Sequence, residues 1–219
     1  MLRLLTINIL FLLLNSTANS QSETEYFGTV GLNVGINRAN ETLSPDNIYL
    51  TNDQVKSRTT IQAGVVFQVK PFDGHGVGAD LGIMLNQKGY AYNNGITAED
   101  TEKPGYRLVN HFEAPLNIRY YYAIEGFSAS VIAGMYAGYA SNGESAVSYY
   151  APKEYIEFKD YKQRFEYGYN LGFGFDAQVF GLDFVWSRGL KDITYGYTTP
   201  YTSRNKMFSL VLRIMFPSY

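Results

Sequence analysis

His111 and Glu113 are the residues with the clearest potential for chemistry, because they stand two positions apart. Side chains two residues apart on a strand share a face, so an imidazole and a carboxylate could meet there as half of a hydrolase site. The chain holds only 2 histidines and no cysteine, and no serine lies in a recognisable nucleophile motif. We therefore predict no catalysis and interpret His111 as an interior histidine satisfied by hydrogen bonds.

Two other motifs are weak as binding sites. The run GHGVG at 74–78 precedes a strand pattern rather than a helix, unlike a phosphate-binding loop. Asp46, Asn47, Asn52 and Asp53 lie close in sequence but lack EF-hand spacing. We predict no metal site and no cofactor. The formal net charge is −2 and basic residues are scattered among acidic ones, so we expect no nucleic-acid partner.

The elements that must position these residues are strands, because apolar and polar residues alternate along most of the chain. In FEYGYNLGFGFDAQV, at 165–179, one set is aromatic or aliphatic and the other is small or polar. Eight stretches show this alternation. They lie at 26–37, 60–70, 77–88, 106–122, 127–139, 165–179, 182–187 and 208–216.

Short and long connections between these stretches alternate strictly. The short ones lie around 71–75, 123–126 and 180–181, and the long ones at 38–58, 93–105, 141–160 and 191–203. An even number of strands with tight turns at one end is typical of an outer-membrane barrel. We predict an all-β fold, an eight-stranded antiparallel up-and-down transmembrane β-barrel with short periplasmic turns and long extracellular loops.

The polarity of the two faces separates this fold from a soluble barrel such as a lipocalin. The polar face consists of glycine, asparagine, serine and sparse charges, which suits the cramped interior of a small barrel. The apolar face suits lipid. The Gly-x-Trp signature of lipocalins is missing, since Trp186 follows Phe184-Val185. With this facing, Phe173 meets lipid, and we expect a serine at the inward Gly172 to be mild.

The first residues predict export. A basic start, an apolar run from Leu4 to Leu14 and the small residues Ala18-Asn19-Ser20 are typical of a signal peptide. The run is shorter than the roughly 20 residues of a membrane-spanning helix. We predict a signal peptide at 1–20, a barrel domain at 21–219 and location in the outer membrane.

Charged residues of both signs are expected to point into the lumen. An unpaired buried charge is costly, so we predict a paired network that fills the lumen rather than an ion path. Within it, Arg213 is expected to bridge Asp176 and Asp183. Arg119 is expected to lie level with Asp80 as a second cluster. The full set is Asp80, Lys88, Arg107, Glu113, Arg119, Arg164, Glu166, Asp176, Asp183 and Arg213.

The long loop at 141–160 is the segment most like a binding surface. Its aromatic residues Tyr149, Tyr150, Tyr155 and Phe158 suit contacts with a sugar or a protein. They could equally extend the barrel wall above the membrane. The expected partners are outer-membrane lipid and an envelope protein reached through the loops, and the barrel is expected to be a monomer.

A family resemblance covers most of the chain. Residues 112–121, FEAPLNIRYY, resemble the L-E-[apolar]-P-L-x-x-[KR]-Y core of the PorT-type outer-membrane β-barrels of Gram-negative bacteria. Residues 133–139 are similar to that family's next strand. Residues 87–89 and 189–193 are similar to its KG and GLxxI landmarks. Ala114 and Ser187-Arg188 depart from the pattern, where larger or more aromatic residues are usual.

The resemblance implies a small eight-stranded barrel, and most such proteins have no assigned activity. The founding member is implicated in type IX secretion, a role that these residues do not carry over. We predict a plugged barrel with a structural, loop-binding or accessory role, linked to protein secretion or uptake machinery. A narrow porin and a lipid-modifying enzyme remain open as alternatives.

Overall fold

The computed structural model describes residues 26–43, 55–92, 105–146, 152–156, 158, 161–191, 193–195 and 201–217. The predicted signal peptide, Tyr149 and Tyr150 lie outside these residues. Within the described segments, no helix is long and apolar enough to cross a membrane. The elements are β1 (Tyr26–Leu43), β2 (Val55–Pro71), β3 (Gly76–Tyr92), β4 (Gly105–Ile124), β5 (Phe127–Ala146), β6 (Glu154–Tyr155), α1 (Tyr161–Arg164), β7 (Phe165–Ala177), β8 (Phe180–Gly189), β9 (Ile193–Tyr195) and β10 (Tyr201–Pro217).

Eight long antiparallel strands close into a barrel. They pair in the order β1, β2, β3, β4, β5, β7, β8 and β10, and β10 pairs back with β1. Closure leaves no free strand edge, so the backbone groups of the wall are paired as a lipid environment demands. The short strands β6 and β9 pair with β5 and β10. The predicted eight-stranded barrel is confirmed.

The tight turns all lie at one end of the barrel, but one of them is not where the sequence predicted. The last turn is Gln178-Val179, where Gln178 has a φ of 54°, rather than Phe180-Gly181. Gly181 is a strand residue, and a Cβ there would lie 2.8 Å from Arg213 Nη2. At the opposite end β1, β2 and β5 extend beyond their predicted bounds, so the wall rises further and the loops are shorter.

The two faces of the wall point as predicted. Phe173, Ile118 and Val131 are 49%, 61% and 65% exposed, and their outward position is the one that lipid would cover. Lys88, Glu166 and Arg213 are buried inside the barrel. A soluble barrel would show the opposite arrangement, with charges outside and apolar residues within.

Candidate functional site in the barrel lumen

Arg213 on β10 joins two carboxylates at the turn end of the lumen. Its Nη2 donates hydrogen bonds to Asp176 Oδ1 at 2.5 Å and to Asp183 Oδ1 at 3.0 Å. Its Nε lies 2.8 Å from Asp183 Oδ2. The two carboxylates come from β7 and β8, on either side of the Gln178 turn, and would repel each other without a cation between them. The bridge expected from the sequence is therefore present.

Arg119 on β4 reaches the same Asp183 from across the lumen. Its Nη1 and Nη2 donate to the two carboxylate oxygens of Asp183 at 3.0 and 2.6 Å. Its Nε forms a close ion pair with Asp80 on β3. The sequence predicted two separate clusters, and that was wrong, because Asp183 receives both guanidinium groups. The result is one chain of charges, Asp80–Arg119–Asp183–Arg213–Asp176, which we call the lower cluster.

Side-chain amides extend the lower cluster towards the middle of the barrel. Asn117 donates to Asp80 Oδ1 at 2.7 Å, and Asn170 donates to Asn117 Oδ1 at 3.2 Å. Ser187 then donates to Asn170 Oδ1 at 2.8 Å. Carboxylate and amide lone pairs that would otherwise be buried without partners are satisfied in this way.

A second group of charges, the upper cluster, lies nearer the long loops. Lys88 on β3 forms a close ion pair with Glu113 and lies 3.1 Å from Glu166 Oε2. Glu166 also accepts hydrogen bonds from Tyr136 at 2.8 Å and from Asn205 at 3.0 Å. Residues of five strands converge on this site, so it ties the wall together across the lumen.

His111 belongs to the upper cluster, but it does not form the pair with Glu113 that the spacing suggested. Its Nε2 lies 3.5 Å from Glu166 Oε2, and its Nδ1 lies 3.3 Å from the carbonyl oxygen of Val109. The residue is buried, with 1% of its surface exposed. Its polar neighbours fit a histidine held inside a network, and no hydrogen bond joins it to a serine within the described residues.

One of the ten predicted interior charges, Arg164, lies elsewhere. Arg107 is buried near the loop end of β4. Arg164 does not enter the lumen, which contradicts the sequence prediction. Its Nη1 donates to the carbonyls of Ala140 and Ser141, and its guanidinium lies 4.8 Å from the Phe158 ring. Because Arg164 ends the helical turn α1, the strand alternation that starts at Phe165 does not apply to it.

The sequence missed the large aromatic residues of the interior. Tyr136 and Tyr121 point inward and are buried, although they were not assigned to the polar face. A Cβ at Gly168 would lie 2.5 Å from the Tyr136 ring, so this glycine makes room for that ring. Tyr136 shares its parity with Gly134 and Gly138, and this spacing is the signal that could have identified it.

Little space remains inside the barrel. A cavity of about 70 Å³ lies between the two clusters, beside Asp80, Glu113 and Arg119. A second space of about 80 Å³ lies at the turn end, near Lys70 and Asp176. Spaces of this size hold only a few water molecules. No group of side chains suited to a metal ion occurs in the described part of the chain.

Residues 18–195 match the model of a family described as the outer membrane protein beta-barrel domain. The chain belongs to this family. Its charged lumen and apolar outer band are therefore parts of an outer-membrane protein. A comparison with curated protein sequences gives no match.

Solved structures of small outer-membrane barrels are similar in fold. Ail of Yersinia pestis has a TM-score of 0.38 and 10% identity, over 86% of this chain and 99% of that chain. Neisserial surface protein A has a TM-score of 0.43 and 10% identity, over 85% and 97%. AlkL, solved in lipid bilayers, has a TM-score of 0.44 and 15% identity, over 91% and 94%.

The extracellular end of this outer-membrane barrel carries the described part of the longest loop. The backbone N–H of Ile156 donates to the Gly143 carbonyl at 2.9 Å, so the loop folds back on β5. Lys153 donates a hydrogen bond to Glu144 at 3.2 Å, and this contact raises the pKa of the ammonium group. Tyr155 is 81% exposed, whereas Phe158 contacts Arg164. Of the described loop aromatics, Tyr155 is the one open to a partner.

Proposed function

We propose that this outer-membrane barrel has a closed lumen and acts as a structural scaffold that presents its extracellular loops to an envelope partner. The meeting of Arg119 and Arg213 on Asp183 is the observation that carries the proposal. A charge chain that links β3, β4, β7, β8 and β10 stiffens the barrel and blocks the path of a solute. The closed strand ring favours a monomer, since it leaves no edge for pairing with a second copy.

A closer assignment to PorT-type barrels, with a link to secretion or uptake machinery, is part of the same proposal. In the PorT-like run 112–121, the motif glutamate is Glu113 and the motif cation is Arg119. The first lies in the upper cluster and the second in the lower cluster. The motif therefore encodes interior charges that hold the barrel together, and it supports the fold type rather than a particular partner.

The two alternatives make different demands on the lumen. A narrow porin needs a continuous wet path, and the two interior spaces described above are small, about 70 and 80 Å³. A lipid-modifying enzyme needs an activated nucleophile, and the polar neighbours of His111 are Glu166 and a backbone carbonyl. Both features favour the closed scaffold.

Conductance in planar lipid bilayers tests the closed lumen. We expect the wild-type barrel to show no steady channel, because the charge chain fills the cross-section. The double variant Asp80→Ala/Arg119→Ala removes one charge of each sign and should give frequent openings. A control, Lys153→Ala, changes an exposed loop and should stay closed. A steady ohmic channel in the wild type would instead identify the protein as a narrow porin.

Labelling of single cysteines on intact cells tests the orientation. The chain has no native cysteine, so each introduced thiol is unique. A membrane-impermeant maleimide should label Tyr155→Cys on intact cells, and should label Glu125→Cys in the β4–β5 turn only after the outer membrane is opened. Labelling of the Glu125 position alone would invert the topology. A cross-linker on the Tyr155 cysteine then reports whether an envelope protein lies against this loop.

A further inference from the structure

Three cations point outward near the extracellular rim on neighbouring strands. Arg38 lies on β1, Arg188 on β8 and Lys206 on β10, and all three are exposed. Their strand neighbours Asn37, Ser187 and Asn205 are buried on the inward face. Lys206 and Arg188 are directly opposite each other across the β8–β10 pair. Arg38 faces Phe208 on the other side of β10, two positions from Lys206.

This arrangement is unfavourable for an isolated barrel. Like charges directly opposite on neighbouring strands destabilise a sheet, and diagonal neighbours are still within reach of long side chains. No ion pair joins Arg38, Arg188 or Lys206 to a carboxylate within the described residues. An anion held between these groups would remove the repulsion.

Other basic residues of the loop end lie apart from these three: Lys56 is exposed on β2, and the Arg164 and Lys191 cations lie over the Phe158 and Phe165 rings. Thr59 on β2, Gln87 on β3 and Asn110 on β4 occupy comparable positions above the apolar band. Snorkelling of long basic side chains towards the interface explains single cations anywhere on the rim. It does not explain why Arg38, Arg188 and Lys206 lie side by side on the three adjacent strands β1, β10 and β8.

An apolar depression lies directly beneath the cations. It has a volume of about 670 Å³ and runs across β7, β8, β10 and β1. Its wall includes Ile36, Leu171, Phe173, Phe184, Phe208 and Leu210, and Trp186 and Arg38 border it. The three outward cations and this depression thus occupy the same side of the barrel, one above the other along the membrane normal.

We propose that this side of the barrel is a binding site for a phosphorylated glycolipid of the outer leaflet. The guanidinium groups of Arg38 and Arg188 suit the paired donors that a phosphate accepts, and Lys206 adds a point charge. The depression below takes the acyl chains. Because the cations lie at the long-loop end, the headgroup belongs to the outer leaflet, whose glycolipid carries phosphates on its sugars.

The charge pattern selects this ligand over two others. An acidic protein segment would meet the cations but would leave the apolar depression to bulk lipid. A glycerophospholipid has one phosphate, whereas the patch spans three strands, about 4.8 Å apart. An amphiphile with phosphates on a broad sugar head matches both the width of the patch and the groove. The site lies outside the lumen, so the inference does not depend on the closed scaffold.

Native mass spectrometry of the full-length barrel in detergent tests the site. The probes are diphosphorylated lipid A, the same lipid A after removal of its phosphates, and phosphatidylglycerol. We expect the wild type to retain diphosphorylated lipid A best. The triple variant Arg38→Gln/Arg188→Gln/Lys206→Gln should bind it at least about tenfold more weakly, since each basic residue near an anionic lipid contributes several-fold. The control Lys153→Gln should bind like the wild type.

The side chains changed in the triple variant point away from the core, and heat-modified gel migration verifies that it folds. Lipid A with brominated acyl chains gives a second readout in vesicles, because it quenches the fluorescence of Trp186, the single tryptophan, when it is bound at the site. The extent of this quenching should fall in the triple variant. Equal retention of phosphatidylglycerol and lipid A would overturn the glycolipid assignment. Equal binding by wild type and triple variant, or by the phosphorylated and dephosphorylated probes, would overturn the site.

Discussion

Replacing Arg213 with methionine is expected to lower the free energy of unfolding by about 3–5 kcal/mol, because it removes one partner of a buried charge pair. Arg213 is fully buried and holds Asp176 and Asp183 together at 2.5 and 3.0 Å. After the change, the one charged partner left to Asp176 among the described residues is Lys70, whose ammonium lies 4.0 Å away. Asp183 keeps both hydrogen bonds from Arg119. The uncompensated charge is therefore that of Asp176.

A double-mutant cycle isolates this effect. Asp176→Asn in the Arg213→Met background should restore part of the lost stability, because it neutralises the carboxylate that was left without its guanidinium. Asp183→Asn in the same background should restore less, since it also removes the partner of Arg119. Urea unfolding in lipid vesicles, followed by Trp186 fluorescence, measures the wild type and four variants: Arg213→Met, Asp176→Asn and the two double variants. If Asp176→Asn adds a further loss instead, Asp176 is not the charge that Arg213 compensates.

The facing and the strand number could be predicted from the sequence because both follow from a period of two. A residue such as Phe173 or Arg213 has its side fixed by its neighbours along the chain, without knowledge of the other strands. The bridge between Asp176, Asp183 and Arg213 was accessible for a similar reason. A tight turn places the first two residues near one end, and β10 must return beside β8 for the barrel to close.

Contacts across the lumen could not be predicted, because they depend on the stagger between strands. Asp183 was assigned to Arg213 alone, yet Arg119 reaches it from the opposite wall. Alternation places both residues inside but does not give their relative height. The prediction that Arg164 points into the lumen was wrong for a different reason. Arg164 ends the helical turn α1, so the alternation of inward and outward residues along a strand does not apply to it.

The space beside each inward glycine could not be predicted from the sequence either. A serine at Gly172 was expected to be mild, but a Cβ there would lie 2.3 Å from the carbonyl oxygen of Phe184. Backbone does not move aside as a side chain does, so that expectation was wrong. At Gly174 the nearest atom to a Cβ would be Asp183 Oδ1, also at 2.3 Å. Inward glycines here let the charged network and the neighbouring strand approach closely, rather than leave space for a larger residue.

The change Phe173→Arg is expected to destabilise the barrel by about 2–4 kcal/mol, because it places a charge inside the apolar band that faces lipid. Phe173 is 49% exposed on the outer wall of β7. Its ring stacks on Phe184 with 4.9 Å between centroids, so the variant also loses an aromatic contact, worth about 0.5–1.5 kcal/mol. Urea unfolding in lipid vesicles measures the total.

Two matched variants separate the charge from the lost ring. Phe173→Leu removes the stacking but keeps the position apolar, so its loss should be that of the aromatic contact alone. Gln87→Arg adds the same side chain on the outer wall of β3 at the rim, where a cation costs only about 0–1 kcal/mol. We therefore expect Phe173→Arg to be clearly the least stable of the three. Equal stability of Phe173→Arg and Phe173→Leu would mean that this face meets water, and an arginine there would then be solvated as on any soluble surface.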